Sequence, residues 1–235
     1  MIRNCSLEDI SDGKLYTEND MVKADTNNCA GCKSVCCHGM GESIILDPYD
    51  IYRLTAELGV TFEVLLTDKI EINQVDGIML PNLKMTANTN SCSFLNEEKR
   101  CMIHKARPSI CRLFPLGRYW EDETHFKYIL QTGQCHKDNL TKIKVKKWLD
   151  TPNLAQYNEY VIKWHSYLKR IEAAVESIRA NAAQSQDLQT AATQIKTICL
   201  YTLKTFFNTP YDSEQDFFGQ FEKRLANAYS VLGMD

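Results

Sequence analysis

The sequence predicts an α+β fold in which a small cysteine-rich core, with short helices and a β-hairpin, is followed by an α-helical C-terminal bundle. The first observation is that eight of the ten cysteines fall between positions 29 and 135, where turn signals interrupt the apolar runs. The second is that cysteines nearly vanish after about residue 140, where long helical patterns begin. We therefore divide the chain into an N-terminal lead-in (1–28), a cysteine-cluster domain (29–140) and a helical C-terminal region (141–235).

The composition is that of an ordinary globular chain, with 44% hydrophobic residues, 24% charged residues and a net charge of -3. A chain of 235 residues can bury a real core, so it does not need a cysteine scaffold for stability. The charge balance does not favour non-specific binding to nucleic acid. The acidic N-terminus lacks the apolar stretch of a signal peptide, and no window approaches about 18 uninterrupted apolar residues. We expect no nucleic-acid partner, no membrane association and a cytoplasmic location.

The lead-in is polar and shows no sustained period, which predicts a loosely ordered segment that docks on the body. The string CAGCKSVCCHGMG, from Cys29 to Gly41, is rich in cysteine and glycine and predicts a loop. Asp47 then provides an N-cap with Pro48 at the first helical position, and Gly59 ends that short helix.

Further short elements follow before residue 140. Thr61 begins a second short helix that continues through Leu66. The string IEINQVDGIMLPNL contains Asp76-Gly77, a strong hairpin turn signal between two apolar segments. Between 92 and 117, prolines confine any helix to a turn or two, and the alternation in HFKYILQ predicts a strand that leads to Cys135.

Three helical patterns occupy the C-terminal region, over about residues 153–183, 187–207 and 212–232. The last carries an aromatic stripe that we interpret as core, with Gly233 as its stop. A run of lysines precedes these helices, and we interpret it as a solvated face. The lysines are Lys142, Lys144, Lys146 and Lys147.

The cysteine spacing points to metal binding. Clustered cysteines in a chain without a signal peptide more often hold metal or do redox chemistry than form disulfides. Cys29 and Cys32 form a Cys-x-x-Cys pair whose sulfurs can converge on one ion, and iron-sulfur clusters use the same loop geometry. Cys36 and Cys37 are adjacent and should point in different directions, so both ligate most easily if they serve two metals, or one ligates and the other packs.

A second group of thiols lies downstream, and the eight cysteines together fit two four-coordinate sites by count, without assigning partners. This group comprises Cys92, Cys101, Cys111 and Cys135. Basic residues surround it and would offset thiolate charge. Among them, Arg107 and Arg112 either satisfy buried carbonyls in the turn around Pro108, or compensate the charge of a bound cofactor, or do both.

Histidines and isolated cysteines have simpler interpretations. His38, His104 and His136 each lie within three residues of a cysteine, and we favour hydrogen bonding to ligands over direct ligation. Cys5 and Cys199 stand apart from the cluster and are interpreted as core or surface thiols.

The string CAGCKSVCC, followed by CSFLNEEKRCMIHKARPSICRLFP and a later Cys135, resembles the bacterial cysteine-cluster family named for its CxxCxxxCC motif, whose members are described as chelators of zinc or iron. The resemblance covers about residues 25–140. It implies that the metal-binding set contains Cys29, Cys32, Cys36, Cys37, Cys101, Cys111 and Cys135, with Cys92 matching the cysteine of a Cys-x-Phe-Leu segment. Flagellin lysine methylases, taken to hold an iron-sulfur cluster, are similar in the first motif but differ across HKARPSICRLFP.

Three functional hypotheses follow. The preferred one is an iron-sulfur cluster protein with a redox, electron-transfer or accessory role toward an unidentified protein partner. The alternative is a zinc-stabilised binding module whose helical region offers a partner surface. The last is an iron-dependent or methyltransferase-like enzyme acting on a protein or peptide. No Ser-His-Asp pattern, phosphate-binding glycine loop or His-Glu-x-x-His string supports hydrolysis or nucleotide chemistry.

Overall fold

Short helices and two-stranded antiparallel ladders form the first part of the chain, and long helices form the rest, which confirms the α+β class. The structure is a computed structural model that describes residues 6–27, 29, 32–135 and 140–234. The short helices are α1 (Leu7–Ile10), α2 (Pro48–Leu58), α3 (Phe62–Asp68), α4 (Ser109–Leu113) and α5 (Val145–Leu149). The strands are β1 (Met21–Asp25), β2 (Ile70–Val75), β3 (Ile78–Leu83), β4 (Leu116–Trp120), β5 (Phe126–Leu130) and β6 (Thr141–Lys144).

Helix α2 begins and ends as its sequence predicts. The Asp47 side chain accepts a hydrogen bond from the Asp50 backbone N–H at 2.8 Å, which satisfies one free donor of the first turn. Pro48 occupies the first turn, and Gly59 ends the helix in the left-handed conformation, with φ +64°. Helix α3 extends to Asp68, two residues beyond the predicted end.

Strands β2 and β3 form the predicted hairpin in continuous register from Ile70 opposite Leu83 to Val75 opposite Ile78. Their turn has positive φ at both central residues, Asp76 at +49° and Gly77 at +83°. This conformation matches the right-handed twist of the strands, and Asp-Gly adopts it readily.

The described part of the lead-in docks on the body, as expected, but it does so through a regular strand rather than as a loosely ordered segment. Strand β1 pairs antiparallel with β6, and Val22 lies opposite Ile143. Val22 and Ala24 are buried, while the residues between and beside them face outward. Two apolar positions are too few to reveal a period of two without knowledge of the partner strand. The predicted strand 126–130 is β5, and it pairs with β4, to which the sequence analysis assigned no structure.

The three predicted long helices form the C-terminal bundle. They are α6 (Leu154–Ser185), α7 (Leu188–Leu203), which a π-helical turn at Lys204–Asn208 continues, and α8 (Phe217–Leu232). Helix α8 begins later than predicted because Asp216 caps it, accepting from the Gly219 N–H at 2.7 Å. In the ranges that the structure describes, no helix has both the length and the apolar character needed to cross a bilayer.

One hydrophobic core joins the cysteine-rich part to the bundle. Leu54 of α2 and Ile103 of the cysteine-rich part belong to the same buried cluster as Phe206 and Phe221 of the bundle. Cys199 lies in this core with 2% of its surface exposed, which confirms its interpretation as a core residue. The division into three segments stays a prediction of the sequence.

Candidate metal site

A cavity of about 200 Å³ opens where the separate cysteine segments meet. Among the described residues, seven of the eight predicted site cysteines line it. They are Cys29, Cys32, Cys36, Cys37, Cys92, Cys101 and Cys111. Cys135 is not part of this lining, although the adjacent Gln134 is.

Backbone contacts bring the first cysteine motif to the second. Cys36 and Cys37 lie on a 3₁₀ turn, Val35–Cys37, and the Cys37 carbonyl accepts from the Cys92 N–H at 2.7 Å. The Cys29 carbonyl accepts from the Arg100 guanidinium at 2.8 Å, which holds Cys29 against the loop before Cys101. Two stretches far apart in the chain therefore meet at the cavity.

Three non-glycine residues of the lining adopt the left-handed backbone conformation: Cys29 at φ +58°, Ser34 at +56° and Lys99 at +58°. This conformation costs an L-residue about 1 to 2 kcal/mol. Such outliers persist where the surrounding structure fixes them and tend to cluster at functional sites.

Backbone N–H groups hydrogen-bond several of the sulfurs. The Ser34 N–H donates to Cys32 Sγ at 3.3 Å. A backbone hydrogen bond from Phe94 lowers the pKa of the Cys92 thiol, although burial raises that pKa by more. A backbone hydrogen bond from Ile103 acts in the same way on the pKa of Cys101, where burial again has the larger effect. In each case the N–H lies two residues after the cysteine, and such donors favour the thiolate over the thiol.

Burial opposes ionisation of most thiols in the cavity. Desolvation raises the pKa of Cys92 and Cys101, and raises that of Cys111 well above its ordinary value. A bound cation reverses this preference, because a coordinating thiol is deprotonated outright.

The adjacent pair behaves differently from the other thiols. The sulfurs of Cys36 and Cys37 are 3.9 Å apart and share one hydrogen bond. That hydrogen bond lowers the pKa of Cys36 to about 7, and the charge of Arg107 acts in the same direction. The same contact, together with burial, holds the pKa of Cys37 far above its ordinary range.

The two predicted arginines occupy different places. Arg107 lines the cavity, where a cation can offset thiolate charge. Arg112 is not among the lining residues; it is buried, donates to Thr151 Oγ1 at 3.2 Å and lies over the ring of Tyr157 at 5.6 Å.

The histidines also separate. His104 lines the cavity, and burial lowers its pKa, assisted by the charges of Arg107 and Arg100, which favours the neutral imidazole. His38 Nδ1 lies 2.9 Å from the Ser34 carbonyl, a backbone contact beside the cysteines. His136 and Cys5 lie outside the described residues.

The thiols share a cavity wall rather than one centre. Across the described ranges, no three histidine, cysteine, aspartate or glutamate side chains have the arrangement that holds a single metal ion. By chemistry the lining still fits a thiolate-held metal, because it combines many thiols, N–H donors directed at sulfur and nearby cations.

Comparison with known proteins bears on the same part of the chain. A family model named CxxCxxCC, described as a "putative zinc- or iron-chelating domain", matches residues 28–145. No curated protein and no solved structure matches the chain. The matched range contains every cysteine discussed above, apart from Cys5 and Cys199, and all three arginines.

Proposed function

The chain belongs to the CxxCxxCC family, and from that premise we propose that its cysteine-lined cavity holds iron as an iron-sulfur cluster. The role that we assign to the protein is electron transfer, redox sensing or support of a partner protein in the cytoplasm. A bound cluster would supply one-electron exchange at a potential set by its charge, hydrogen bonds and exposure.

One observation carries the choice of a cluster over a single ion: seven thiols line one cavity of about 200 Å³. A structural zinc ion takes only four ligands, at about 2.0 to 2.3 Å, and needs no such space. Iron-sulfur clusters are held by cysteine thiolates and include the inorganic atoms that a larger space accommodates.

The protein's own groups have distinct tasks in this proposal. The N–H groups after Cys32, Cys92 and Cys101 stabilise thiolates through hydrogen bonds. Arg100, Arg107 and Lys99 line the cavity and offset negative charge.

His104 supports a second candidate, a structural zinc site. It is part of the cavity lining, burial favours its neutral form, and zinc takes histidine nitrogen as well as cysteine sulfur as a ligand. In this candidate the metal stabilises the cysteine-rich part, and the helical region provides the surface for a partner.

Metal analysis of anaerobically purified protein distinguishes the two candidates. An iron-sulfur protein contains iron and acid-labile sulfide and absorbs broadly near ~400 nm. Colourless protein with stoichiometric zinc supports the second candidate. Protein that binds neither metal, even after reconstitution under reducing conditions, refutes both.

Cysteine variants test the site residues directly. Cys111→Ser and Cys32→Ser should lose most of the bound metal and melt at a lower temperature, because metal-binding free energy contributes to folding free energy. Cys199→Ser is the control for metal content, which it should leave unchanged, since Cys199 lies in the helical core and is not part of the cavity lining. Unchanged metal content in both cavity variants would remove these residues from the ligand set.

A further inference from the structure

A buried carboxyl group of α2 contacts the first residue of α4, the helix that carries Cys111 of the cavity lining. Asp50 has 1% of its surface exposed. Its Oδ1 accepts from the Ser109 N–H at 2.7 Å, and its Oδ2 accepts from Ser109 Oγ at 3.2 Å and from the Asp47 N–H at 3.2 Å. Three donors therefore converge on the two oxygens of one side chain.

Asp47 extends this network to the bundle. Its Oδ2 also lies 3.2 Å from Ser109 Oγ, and its side chain hydrogen-bonds Tyr160 of α6. The Tyr160 hydroxyl in turn accepts from the Tyr49 N–H at 3.0 Å. Helices α2, α4 and α6 thus meet at one set of polar contacts.

Helix α4 needs such an anchor because it has only five residues and no capping side chain of its own. A helix this short is unstable alone, and its first N–H groups lack intrahelical partners. The Asp50 carboxylate supplies the missing acceptor to Ser109, the first residue of the helix. Cys111 follows two residues later and lines the cavity from α4.

Burying a carboxylate is costly unless hydrogen bonds and charges compensate it. Burial and the charge of Asp47 raise the pKa of Asp50 to about 7, and the positive charge of Arg112 and the backbone hydrogen bonds only partly offset that rise. Asp50 is also the second member of the α2 capping box, because its Oδ2 accepts from the Asp47 N–H. The same side chain therefore caps α2 and supplies the acceptor at the start of α4.

We propose that Asp50 is a positioning residue for Cys111, acting through its hydrogen bonds to Ser109, which fix the start of α4 and thereby keep the Cys111 thiol in the cavity wall. This inference deepens the proposed function, and only its prediction about metal content rests on that function. Its structural consequence can be tested in metal-free protein.

The test compares thiol alkylation in metal-free protein, read at each cysteine by peptide mass spectrometry. In Asp50→Ala the start of α4 loses its acceptors, and we expect N-ethylmaleimide to modify Cys111 several-fold faster than in the wild type. Ser109→Ala removes only the hydroxyl and should give a smaller acceleration, so it remains informative if Asp50→Ala fails to fold. Cys199 in the same samples reports general unfolding.

Asp187→Ala is the matched control, because Asp187 also caps a helix with its carboxylate, accepting from the Thr190 N–H at 3.1 Å in α7. It should leave Cys111 alkylation and metal content unchanged. After reconstitution, Asp50→Ala should hold less than half of the metal held by the wild type.

The outcomes separate the two claims. Wild-type alkylation rates at Cys111 in both Asp50→Ala and Ser109→Ala would overturn the positioning role, whatever the metal content. Faster alkylation in a protein whose wild type binds no iron or zinc would refute the proposed function and leave the positioning of Cys111 intact. Equal acceleration at Cys111 and Cys199 would show global unfolding and overturn the inference.

Discussion

Two arginines five positions apart show how a short helix directs neighbouring side chains into different surroundings. Arg107 precedes α4 and lines the cavity, whereas Arg112 is part of α4 and is buried beside Thr151 and Tyr157. Their sequence settings are similar, since both flank Pro108 and Cys111. Which arginine lines the thiol cavity depends on how α4 packs against α2 and α6. No local sequence pattern records that packing.

His165 provides a pH prediction at the same scale. Its ring stacks on Trp120 of β4, with centroids 3.7 Å apart and planes at 9°. Burial lowers the pKa of His165 to about 4 from an ordinary value of 6.5. The unfolded chain therefore binds the proton more tightly, so this contribution to stability is complete above pH 6.5 and is lost as the pH falls toward 4.

We expect His165→Phe to flatten this dependence, because phenylalanine keeps a flat ring against Trp120 and does not titrate. The measurement is the melting temperature of both proteins at several values between pH 4.5 and 7. The difference between variant and wild type should shift in favour of the variant as the pH falls. A constant difference across the range would contradict the lowered pKa.

At the scale of elements, the pairing of segments that adjoin in the sequence was predictable, and the pairing of distant segments was not. The β2–β3 hairpin follows from Asp76-Gly77, because one turn brings two neighbouring segments together. The pairing of β1 with β6 joins segments near opposite ends of the cysteine-rich part, and no turn signal records it. For the same reason, the cysteine spacing could not show that seven of the eight predicted cysteines line one cavity and that Cys135 is not part of its lining; their role as metal ligands stays a prediction.

The hairpin turn gives a second stability prediction. Gly77 has φ +83°, and a Cβ added there would lie 3.3 Å from both Arg179 Nη1 and Val175 Cγ1 of α6. Gly77→Ala should therefore lower the free energy of unfolding by more than the ~1 to 2 kcal/mol of a left-handed alanine.

Gly13→Ala is the comparison for this change. Gly13 has φ +71°, but an added Cβ would meet no atom within 4 Å. Chemical denaturation of both variants measures the difference. An equal loss of stability at the two positions would show that contact between the turn and α6 contributes nothing.

At the scale of the whole molecule, the long helices and the site share one core. Tyr167 of α6 and Thr202 of α7 make a buried hydrogen bond of 2.9 Å within the bundle. Phe94 and Cys92 of the cysteine-rich part belong to the same cluster as Phe221 of α8. The cysteine spacing predicted the cysteine-rich part, and the helical periodicity predicted the bundle. A shared core requires the buried faces of several elements to fit together, and the periodicity of one segment does not show this.

The shared core predicts that the metal-free chain unfolds in one cooperative transition. Phe221 is 1% exposed, and Phe221→Ala should destabilise the protein by about 3 to 5 kcal/mol. Far-UV circular dichroism follows mainly the bundle. The fluorescence of Trp120 and Trp148 follows the first part of the chain when it is read in a Trp164→Phe background, because Trp164 belongs to α6 of the bundle. Both signals should move to lower temperature together, because loss of packing in α8 removes support from the cysteine-rich part as well.

Val231→Ala is the control, since Val231 lies on α8 but is 57% exposed; it should shift neither signal. If Phe221→Ala shifted only the dichroism and left a fluorescence transition in place, the chain would consist of two independently folding domains, and metal binding in the first would be uncoupled from the helices that follow.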